Sequence, residues 1–194
     1  MIKTELDGDS FVEYHDSFFD QPTADELLKH FLKNDFPWQR QAIRGVLTRR
    51  SNAWFADDPR LVYRYSGQTW TPTPLTPELT EIRDCLTEAC PCSFNSVLAA
   101  LYPDGQAAVS WHDDNDFPTL PDSPIVTVSF GSQRRFKIRR KSDQEIVAEY
   151  DVTHGSMIVM GGAIQRHYDH ALQKTSKKVA PRVNLSYRVF HAPN

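Results

Sequence analysis

The sequence predicts a mainly β fold, a double-stranded β-helix (jelly roll) with flanking helices, and two observations support this. After Pro91 the chain becomes a succession of short runs rich in β-branched and aromatic residues, separated by turn signals such as Pro103-Asp104-Gly105 and Gly161-Gly162. Many short strands with such punctuation are typical of sandwiches and jelly rolls. Two helical patterns precede them without a linker, so we expect one domain of 194 residues.

The N-terminal half contains two predicted helices that buttress one sheet. In "QPTADELLKHFLKN", Thr23 and Glu26 are spaced as a capping box before an apolar stripe. In "TPELTEIRDCLTEA", Thr76 is the expected N-cap and Pro77 takes the first helical position. Between them "RRSNAWFADDPRLVYRYSGQTW" is expected to be extended. We therefore expect an N-terminal helical and acidic cover (1–45), a substrate-side extended segment and helix (46–92), and a jelly-roll core (93–194).

Seven strands are predicted in the core. They are "SVLAALY" (96–102), "AAVSWH" (107–112), "IVTVSF" (125–130), "RRFKIRR" (134–140), "IVAEYDV" (146–152), "SMIVMG" (156–161) and "RVNLSYRVF" (182–190). The last alternates, so that Arg182, Asn184, Ser186 and Arg188 share one face. If that face points into the barrel, the two arginines need an anion, because unpaired buried charges are costly. Their Cα atoms lie about 20 Å apart in a strand, and their long side chains could close on a small dicarboxylate.

The composition indicates an intracellular protein. No apolar run approaches the ~20 residues that cross a bilayer, and "MIKTELDGDSF" lacks the apolar segment of a secretory signal. The three cysteines Cys85, Cys90 and Cys92 match neither a disulfide framework nor a zinc spacing. We expect a cytoplasmic or nuclear location without a membrane partner.

The charge is unevenly distributed along the chain. Residues 1–130 hold 10 Lys and Arg against 20 Asp and Glu, whereas residues 131–182 hold 11 against 5. The basic residues concentrate in "RRFKIRRK" (134–141) and "KTSKK" (174–178). Such a local excess is typical of a surface that binds a polyanion. The alternative is a solvated strand face, because alternate cations also keep a strand edge soluble.

The segment "SWHDDNDF" (110–117) contains candidate metal ligands. In a strand His112 and Asp114 point to the same side, although a solvated acidic turn would read the same way. The downstream segment "AIQRHYDHALQK" offers His167 and His170, and His170 precedes Arg182 by 12 positions. Two histidines and one carboxylate are the facial triad of non-haem Fe(II) oxygenases. The ordered combination of these motifs therefore favours a metal site.

From about Arg49 to Phe190 the chain resembles the AlkB-like Fe(II)/2-oxoglutarate dioxygenases, most closely the branch that repairs alkylated bases. The similar segments are "YRYSG" (63–67), "FNSVLAALYPDG" (94–105), "WHDDND" (111–116), "PIVTVSFGSQRRFKIRRK" (124–141), "HGSMIVMGGAIQRHYDH" (154–170) and "PRVNLSYR" (181–188). The resemblance implies Fe(II), 2-oxoglutarate and O2 as metal and co-substrates. It also implies oxidative demethylation of DNA bases, with release of formaldehyde, succinate and CO2.

The resemblance assigns the iron ligands to His112, Asp114 and His170. Gln165, Tyr168 and His170 fit the family pattern of Gln, then an aromatic, then His, which makes His167 the wrong histidine.

The resemblance also implies binding residues. Arg182, assisted by Tyr102, would hold the far carboxylate of 2-oxoglutarate, and Arg188 with Asn184 would hold the end that chelates iron. Tyr65 and the ring of His112 would sandwich the base, and Asp116 would lie near its exocyclic amine. Tyr65 could instead be a core aromatic, and Asp116 a solvated turn residue.

Two departures from the family pattern bear on these roles. Ala100 stands where the family often has a co-substrate-binding asparagine, and no proline follows His170 closely.

We expect a monomer whose partner is nucleic acid, chiefly alkylated DNA and possibly RNA, with the target base flipped out or single-stranded. The basic run 134–141 would hold backbone phosphates, together with Arg40, Arg44, Arg49 and Arg50. Two alternatives stay open: the same chemistry on RNA, lipid or a protein, and a non-catalytic metal-binding jelly-roll module.

Overall fold

Fourteen strands and three helices make up the described part of a computed structural model. That part comprises residues 1–43, 45–65, 68–115, 119–120 and 122–191, with the side chains of Ile43, Tyr65 and Gln68 left out. In chain order the elements are β1 (Ile2–Glu5), β2 (Phe11–His15), α1 (Gln21–Phe31), β3 (Gln39–Ile43), β4 (Val46–Ala56), β5 (Tyr63–Tyr65), β6 (Gln68–Trp70), α2 (Pro77–Ala89), β7 (Ser96–Tyr102), β8 (Val109–His112), β9 (Ile125–Gly131), β10 (Arg134–Arg140), β11 (Ile146–Val152), β12 (Ser156–Gly161), α3 (Ile164–His167), β13 (Tyr168–Leu172) and β14 (Arg182–Arg188).

The strands form two facing antiparallel sheets. The larger has the order β1-β2-β12-β9-β14-β7-β4-β3, the smaller has the order β11-β10-β13-β8, and β5 pairs with β6 alone. Side chains of both sheets meet in one buried cluster that includes Tyr102 and Ile158 from the larger sheet and Ile138 and Leu172 from the smaller. This arrangement is the predicted jelly roll, and its interior lies between the sheets.

The seven predicted core strands are all present. Strands β7, β10, β11 and β12 begin and end at the predicted residues, and β8, β9 and β14 differ by one or two residues at an end. Four further strands, β1, β2, β3 and β13, were not predicted. Strand β2 pairs with β12, roughly 145 positions away, and a pairing over that distance leaves no local periodic signal.

The two long helices pack on the outer face of the larger sheet, as expected. Leu79, Ile82 and Leu86 of α2 and Phe31 of α1 lie in one core cluster with the sheet positions that face the helices. The Tyr187 hydroxyl donates a hydrogen bond to the Leu79 carbonyl at 2.8 Å, which fastens α2 to β14. The inner face is therefore left free to line the cavity.

The capping of α2 was predicted correctly and that of α1 was not. Thr76 caps α2 by accepting from the Leu79 N–H at 3.3 Å, and Pro77 is its first residue. Helix α1 begins at Gln21, whereas a cap at Thr23 would have made Ala24 its first residue. Asp20 is the N-cap and accepts from the Thr23 N–H at 2.9 Å, so the Thr23–Glu26 capping box is wrong.

The observed organisation differs in detail from the three expected segments. Residues 1–45 contain α1, but they also contain β1, β2 and β3, which extend the larger sheet. Of residues 46–92, β4 and Tyr63 border the cavity, whereas α2 lies on the opposite face. No helix among the described residues has the length and apolarity needed to cross a membrane.

Candidate metal and co-substrate site

Two histidines and an aspartate meet at one end of the cavity. His112 at the end of β8 lies directly opposite His170 of β13 in the strand pairing, and their ring centroids are 4.2 Å apart. Asp114 follows in the loop after β8. Its carboxylate oxygens lie 4.0 Å from His112 Nε2 and 3.8 Å from His170 Nε2. One ligand atom from each of the three residues lies within 4.8 Å of the others, as binding to a single ion requires.

A ring nitrogen of each imidazole is available to bind a metal ion. His112 Nδ1 lies 2.8 Å from the Ser110 carbonyl oxygen, which can only accept, so Nδ1 carries a proton and Nε2 is the nitrogen available to a metal. Burial lowers the pKa of His170 from 6.5 to about 3, so this ring is neutral at physiological pH. His167 is exposed on α3 and lies outside the cluster.

Asp114 is held as a carboxylate by Arg188. Burial alone would raise the pKa of Asp114, but the nearby positive charge outweighs it and the pKa falls to about 2. We attribute this to Arg188, whose Nη2 donates to Asp114 Oδ2 at 2.9 Å, because His170 is uncharged above about pH 3. Both side chains are 4% exposed. Arg188, expected at the chelating end of the co-substrate, thus lies beside the metal cluster.

The inner face of β14 continues from this cluster to Arg182. Its Nη2 donates to Ser129 Oγ at 2.8 Å and to Asn184 Oδ1 at 2.9 Å, and its Cζ lies 5.2 Å from the Tyr102 ring centroid. No carboxylate of the described residues pairs with it, and its buried Nε has no partner there. Burial lowers the pKa of Arg182 to about 10, which leaves it charged at neutral pH. Because burying a charge without a counter-charge is costly, an anionic ligand would stabilise this arginine.

Strand register places four side chains in a row across the larger sheet beneath the cavity. Asn52 of β4, Ala100 of β7, Asn184 of β14 and Ser129 of β9 are successive cross-strand neighbours. Asn52 is buried, and its Oδ1 has no hydrogen-bond partner within the described part of the chain. Sequence reasoning missed Asn52 and Ser129, although alternation along β4 and β9 is the signal that could have found them.

The structure describes only some of the residues that were predicted to bind the base. Asp116 and the side chain of Tyr65 lie outside the described residues. Tyr63, two positions earlier, lines the cavity and stacks on Trp54 with ring centroids 4.9 Å apart. Arg50 also lines the cavity. The sequence did not single out Tyr63, because an aromatic in an extended segment reads as core.

The cations of the basic run 134–141 are paired within the fold rather than free, as a solvated strand face would have them. Arg134 is buried and donates to four backbone carbonyls, those of Asp104, Gly105, Ala107 and Gln173. The other five cations pair with carboxylates: Arg135 with Glu149 and Asp151, Lys137 with Glu149, Arg139 with Asp169, Arg140 with Asp7, Asp143 and Glu145, and Lys141 with Asp113. Their charge is thus largely neutralised within the fold.

The other expected cations fall into two groups. Arg40 donates to the Thr48 carbonyl, Arg49 pairs with Asp104, and Arg44 lies outside the described residues. By contrast Lys174, Lys177 and Lys178 are exposed and form no ion pair within the described residues. They line a groove that also includes Asp151 and three residues of the basic run, Arg134, Arg135 and Lys137. Among the described residues of this groove, these three lysines are therefore the exposed cations that form no ion pair.

The donor set fits the group that the sequence implied. Two imidazole nitrogens and a carboxylate oxygen facing one cavity suit Fe(II) and leave its other positions open. The buried Arg182, which lacks a carboxylate within the described residues, suits the far end of a dicarboxylic co-substrate.

Comparisons with known proteins agree with this donor set. The sequence model of the 2OG-Fe(II) oxygenase superfamily matches residues 11–188. The chain is 34% identical over 198 residues to the human "Alpha-ketoglutarate-dependent dioxygenase alkB homolog 3", covering 95% of this chain and 68% of that protein, and the mouse protein is 33% identical with the same coverage. It is 37% identical over 138 residues to the human "DNA oxidative demethylase ALKBH2", covering 68% of this chain and 53% of that protein.

A comparison of folds gives a further match. The solved structure of OsALKBH1 superposes with a TM-score of 0.69, at 16% identity, over 91% of this chain and 97% of that one. At that level of identity the likeness supports the fold alone.

Proposed function

Because the chain belongs to the 2OG-Fe(II) oxygenase superfamily, and within it to the AlkB homologues, we propose that it is an oxidative demethylase of DNA. It would remove N-alkyl groups such as methyl from bases, using Fe(II), O2 and 2-oxoglutarate and releasing formaldehyde, succinate and CO2. The observation that carries the proposal is the cluster of His112, Asp114 and His170 within 4.8 Å, in a cavity that also contains Arg182 without a carboxylate among the described residues.

We assign the iron to His112, Asp114 and His170. Bound iron and 2-oxoglutarate supply the oxidation of the alkyl carbon by O2. The chain's own contribution is positioning. Ser110 fixes the tautomer of His112, strand pairing holds the two rings together, and Arg188 keeps Asp114 ionised. A carboxylate that stays ionised is ready to bind a cation without first losing a proton.

The co-substrate would lie along the inner face of β14. Arg182 would hold the far carboxylate, with Ser129 and Tyr102 orienting its guanidinium. Asn184 and Arg188 would contact the end nearest the iron. Ala100 cannot make the family's asparagine contact, and its two direct cross-strand neighbours, Asn52 and Asn184, are the polar side chains that could replace it.

The base would be held on the substrate side of the iron. We propose that Tyr65 and the His112 ring sandwich it and that Asp116 lies near its exocyclic amine, as the resemblance implies. Tyr63, stacked on Trp54, adds an aromatic wall to the cavity. A methylated pairing edge is unreachable inside a duplex, so the base must be flipped out or already be in a single strand.

The proposed partner is nucleic acid, bound by one domain acting as a monomer. Lys174, Lys177 and Lys178 are better placed than the paired run 134–141 to meet backbone phosphates. Binding through them would weaken as salt rises, because phosphate contacts release counterions.

The direct test is formaldehyde release. Purified protein with Fe(II), ascorbate and 2-oxoglutarate is incubated with DNA oligonucleotides carrying N1-methyladenine or N3-methylcytosine, with the same sequences as RNA, and with unmodified DNA. We expect formaldehyde from methylated DNA and none from the Asp114→Ala variant. Release from RNA alone would replace DNA by RNA as the substrate. An absence of turnover on every nucleic acid would overturn the proposal in favour of a protein substrate or a non-catalytic module.

A further inference from the structure

The loop that carries Asp114 is fastened to helix α3 by one residue, Gln165. The Asp114 N–H donates to Gln165 Oε1 at 3.0 Å, and Asn115 Nδ2 donates to the Gln165 carbonyl oxygen at 2.6 Å. Gln165 thus uses both its side chain and its backbone to hold two consecutive residues of the loop, from a position 50 residues further along the chain.

Lys141 closes the same arrangement from the end of β10. Its Nζ donates to the Gln165 carbonyl at 2.8 Å and forms an ion pair with Asp113, while its own N–H donates to the His167 carbonyl at 2.9 Å. Residues 113–115 therefore make three contacts, two with Gln165 and one with Lys141, and Lys141 is itself joined to α3 by two more. We call this set of residues, 113–115 with Lys141 and Gln165, the loop clamp.

The clamp acts on the one member of the cluster that no strand holds. His112 and His170 are paired residues of β8 and β13, so the sheet sets the distance between their rings. Asp114 lies beyond the end of β8, and the direction of its carboxylate depends on the backbone of the loop. Without the clamp, the carboxylate would still be attracted by Arg188 but would lack a fixed backbone position.

We propose that Gln165 is a positioning residue for the metal site, which holds the Asp114 backbone so that its carboxylate faces the two imidazoles. The inference rests on the proposed metal site and goes beyond it by assigning a role to a residue that touches no metal. Partners that orient metal ligands typically change metal affinity by about 10–100-fold when they are removed.

The test compares Gln165→Leu with Gln165→Glu. Leucine has a similar size but no acceptor for the Asp114 N–H, whereas glutamate keeps an acceptor oxygen. Mn(II) is titrated into protein free of 2-oxoglutarate and nucleic acid, and the free ion is followed by its electron paramagnetic resonance signal. We expect the Mn(II) dissociation constant of Gln165→Leu to rise at least tenfold. We expect that of Gln165→Glu to stay within about threefold of the parent value.

Two controls keep the result interpretable. Arg166→Ala alters the neighbouring exposed residue of α3, whose side chain forms a surface ion pair with Asp122, and should leave Mn(II) affinity unchanged. His170→Ala removes a proposed ligand and should abolish tight binding. If His170→Ala binds Mn(II) as tightly as the parent, the proposed metal site itself fails. If His170→Ala loses binding while Gln165→Leu keeps it, the positioning role of Gln165 is overturned.

A general loss of stability is separated by a second measurement. The melting temperature of each variant is recorded without metal and with saturating Mn(II). A positioning role predicts a smaller Mn(II)-dependent increase for Gln165→Leu. The same is expected for Lys141→Met, which removes one donor to the Gln165 backbone carbonyl and the partner of Asp113. A lower melting temperature without metal, combined with a full increase on adding Mn(II), would overturn the inference.

Discussion

Arg188 and Asp114 form a buried ion pair inside the jelly roll, with Nη2 and Oδ2 separated by 2.9 Å. The pair joins the last residue of β14 to the loop after β8. It lies next to both imidazoles of the cluster. Because this buried pair includes a proposed metal ligand, a change in its charge should alter both the free energy of unfolding and the affinity for metal.

Replacing Arg188 by methionine should destabilise the metal-free protein more than the metal-bound one. The change leaves a buried carboxylate without its cation, which typically costs about 3–5 kcal/mol. A divalent ion beside Asp114 would replace the lost positive charge. Urea unfolding with and without Mn(II) measures both free energies. As a control, Arg166→Met breaks an exposed pair and should cost less than about 1 kcal/mol. Equal losses for Arg188→Met with and without Mn(II) would contradict the expectation.

The metal-free protein should lose stability as the pH falls below about 6.5. The pKa of His170 is 6.5 in the unfolded chain and about 3 in the fold, so between these values only the unfolded state binds the proton. The free energy of unfolding should therefore fall towards low pH, by at most about 1.4 kcal/mol per pH unit from this residue. Asp114, with its pKa lowered from 3.8 to about 2, adds to the loss only below about pH 4.

The His170→Gln variant isolates the imidazole contribution to this pH dependence. Its free energy of unfolding, measured by urea titration between pH 4 and pH 8, should change less with pH than that of the parent. Parallel curves for the two proteins would mean that His170 is not held neutral by burial.

Alanine substitutions should distinguish the two candidate histidines of residues 163–174. His112→Ala, Asp114→Ala and His170→Ala should each abolish formaldehyde release, because each removes one ligand. His167→Ala should keep most of the activity, because His167 is exposed and lies outside the cluster. Loss of activity in His167→Ala equal to that in His170→Ala would show that the ligand assignment is incorrect.

Arg182→Met should weaken 2-oxoglutarate binding far more than substrate binding. Losing hydrogen bonds from a charged group typically costs about 1.5–3 kcal/mol, which corresponds to a roughly 10–100-fold higher Kd. Calorimetry of 2-oxoglutarate with the Mn(II)-loaded protein measures this Kd without turnover. Arg166→Met, which changes an exposed arginine paired with Asp122, is the matched control. Equal changes in the 2-oxoglutarate Kd and in the oligonucleotide KM would argue against the assigned role.

The lysine groove should account for much of the salt dependence of oligonucleotide binding. Changing Lys174, Lys177 and Lys178 to alanine should lower the slope of log K against log salt by about 2, if each lysine contacts one phosphate of a single strand. Fluorescence anisotropy at several salt concentrations gives the slope. The exposed Lys29 of α1 and Lys33, two residues after α1 ends, are the control, because α1 packs on the outer face of the larger sheet. Equal slopes for the triple variant and the parent would exclude the groove as the phosphate site.

Much of the fold was predictable because its signals are local. A strand alternates its side chains every two residues, so the runs that became β7, β10, β11 and β12 could be delimited by inspection. The Thr76-Pro77 start of α2 was readable for the same reason. The capping box of α1 failed because Asp20, three residues earlier, competes for the same role and is the better-placed cap. Asp20 and Thr23 are both acceptable N-cap residues, and the sequence does not show at which of them the backbone enters the helix.

By itself the sequence determined the jelly-roll class, the arginine-bearing face of β14 and a short set of metal-ligand candidates, since each follows from residue type and near spacing. Only the tertiary structure decided that Gln165 holds the Asp114 loop, that Arg188 pairs with Asp114, and that the basic run is neutralised by acids such as Asp169 and Asp113. These partners are 28–74 residues apart in the chain. Strand register and loop path bring them together, and neither can be read from alternation within a single strand.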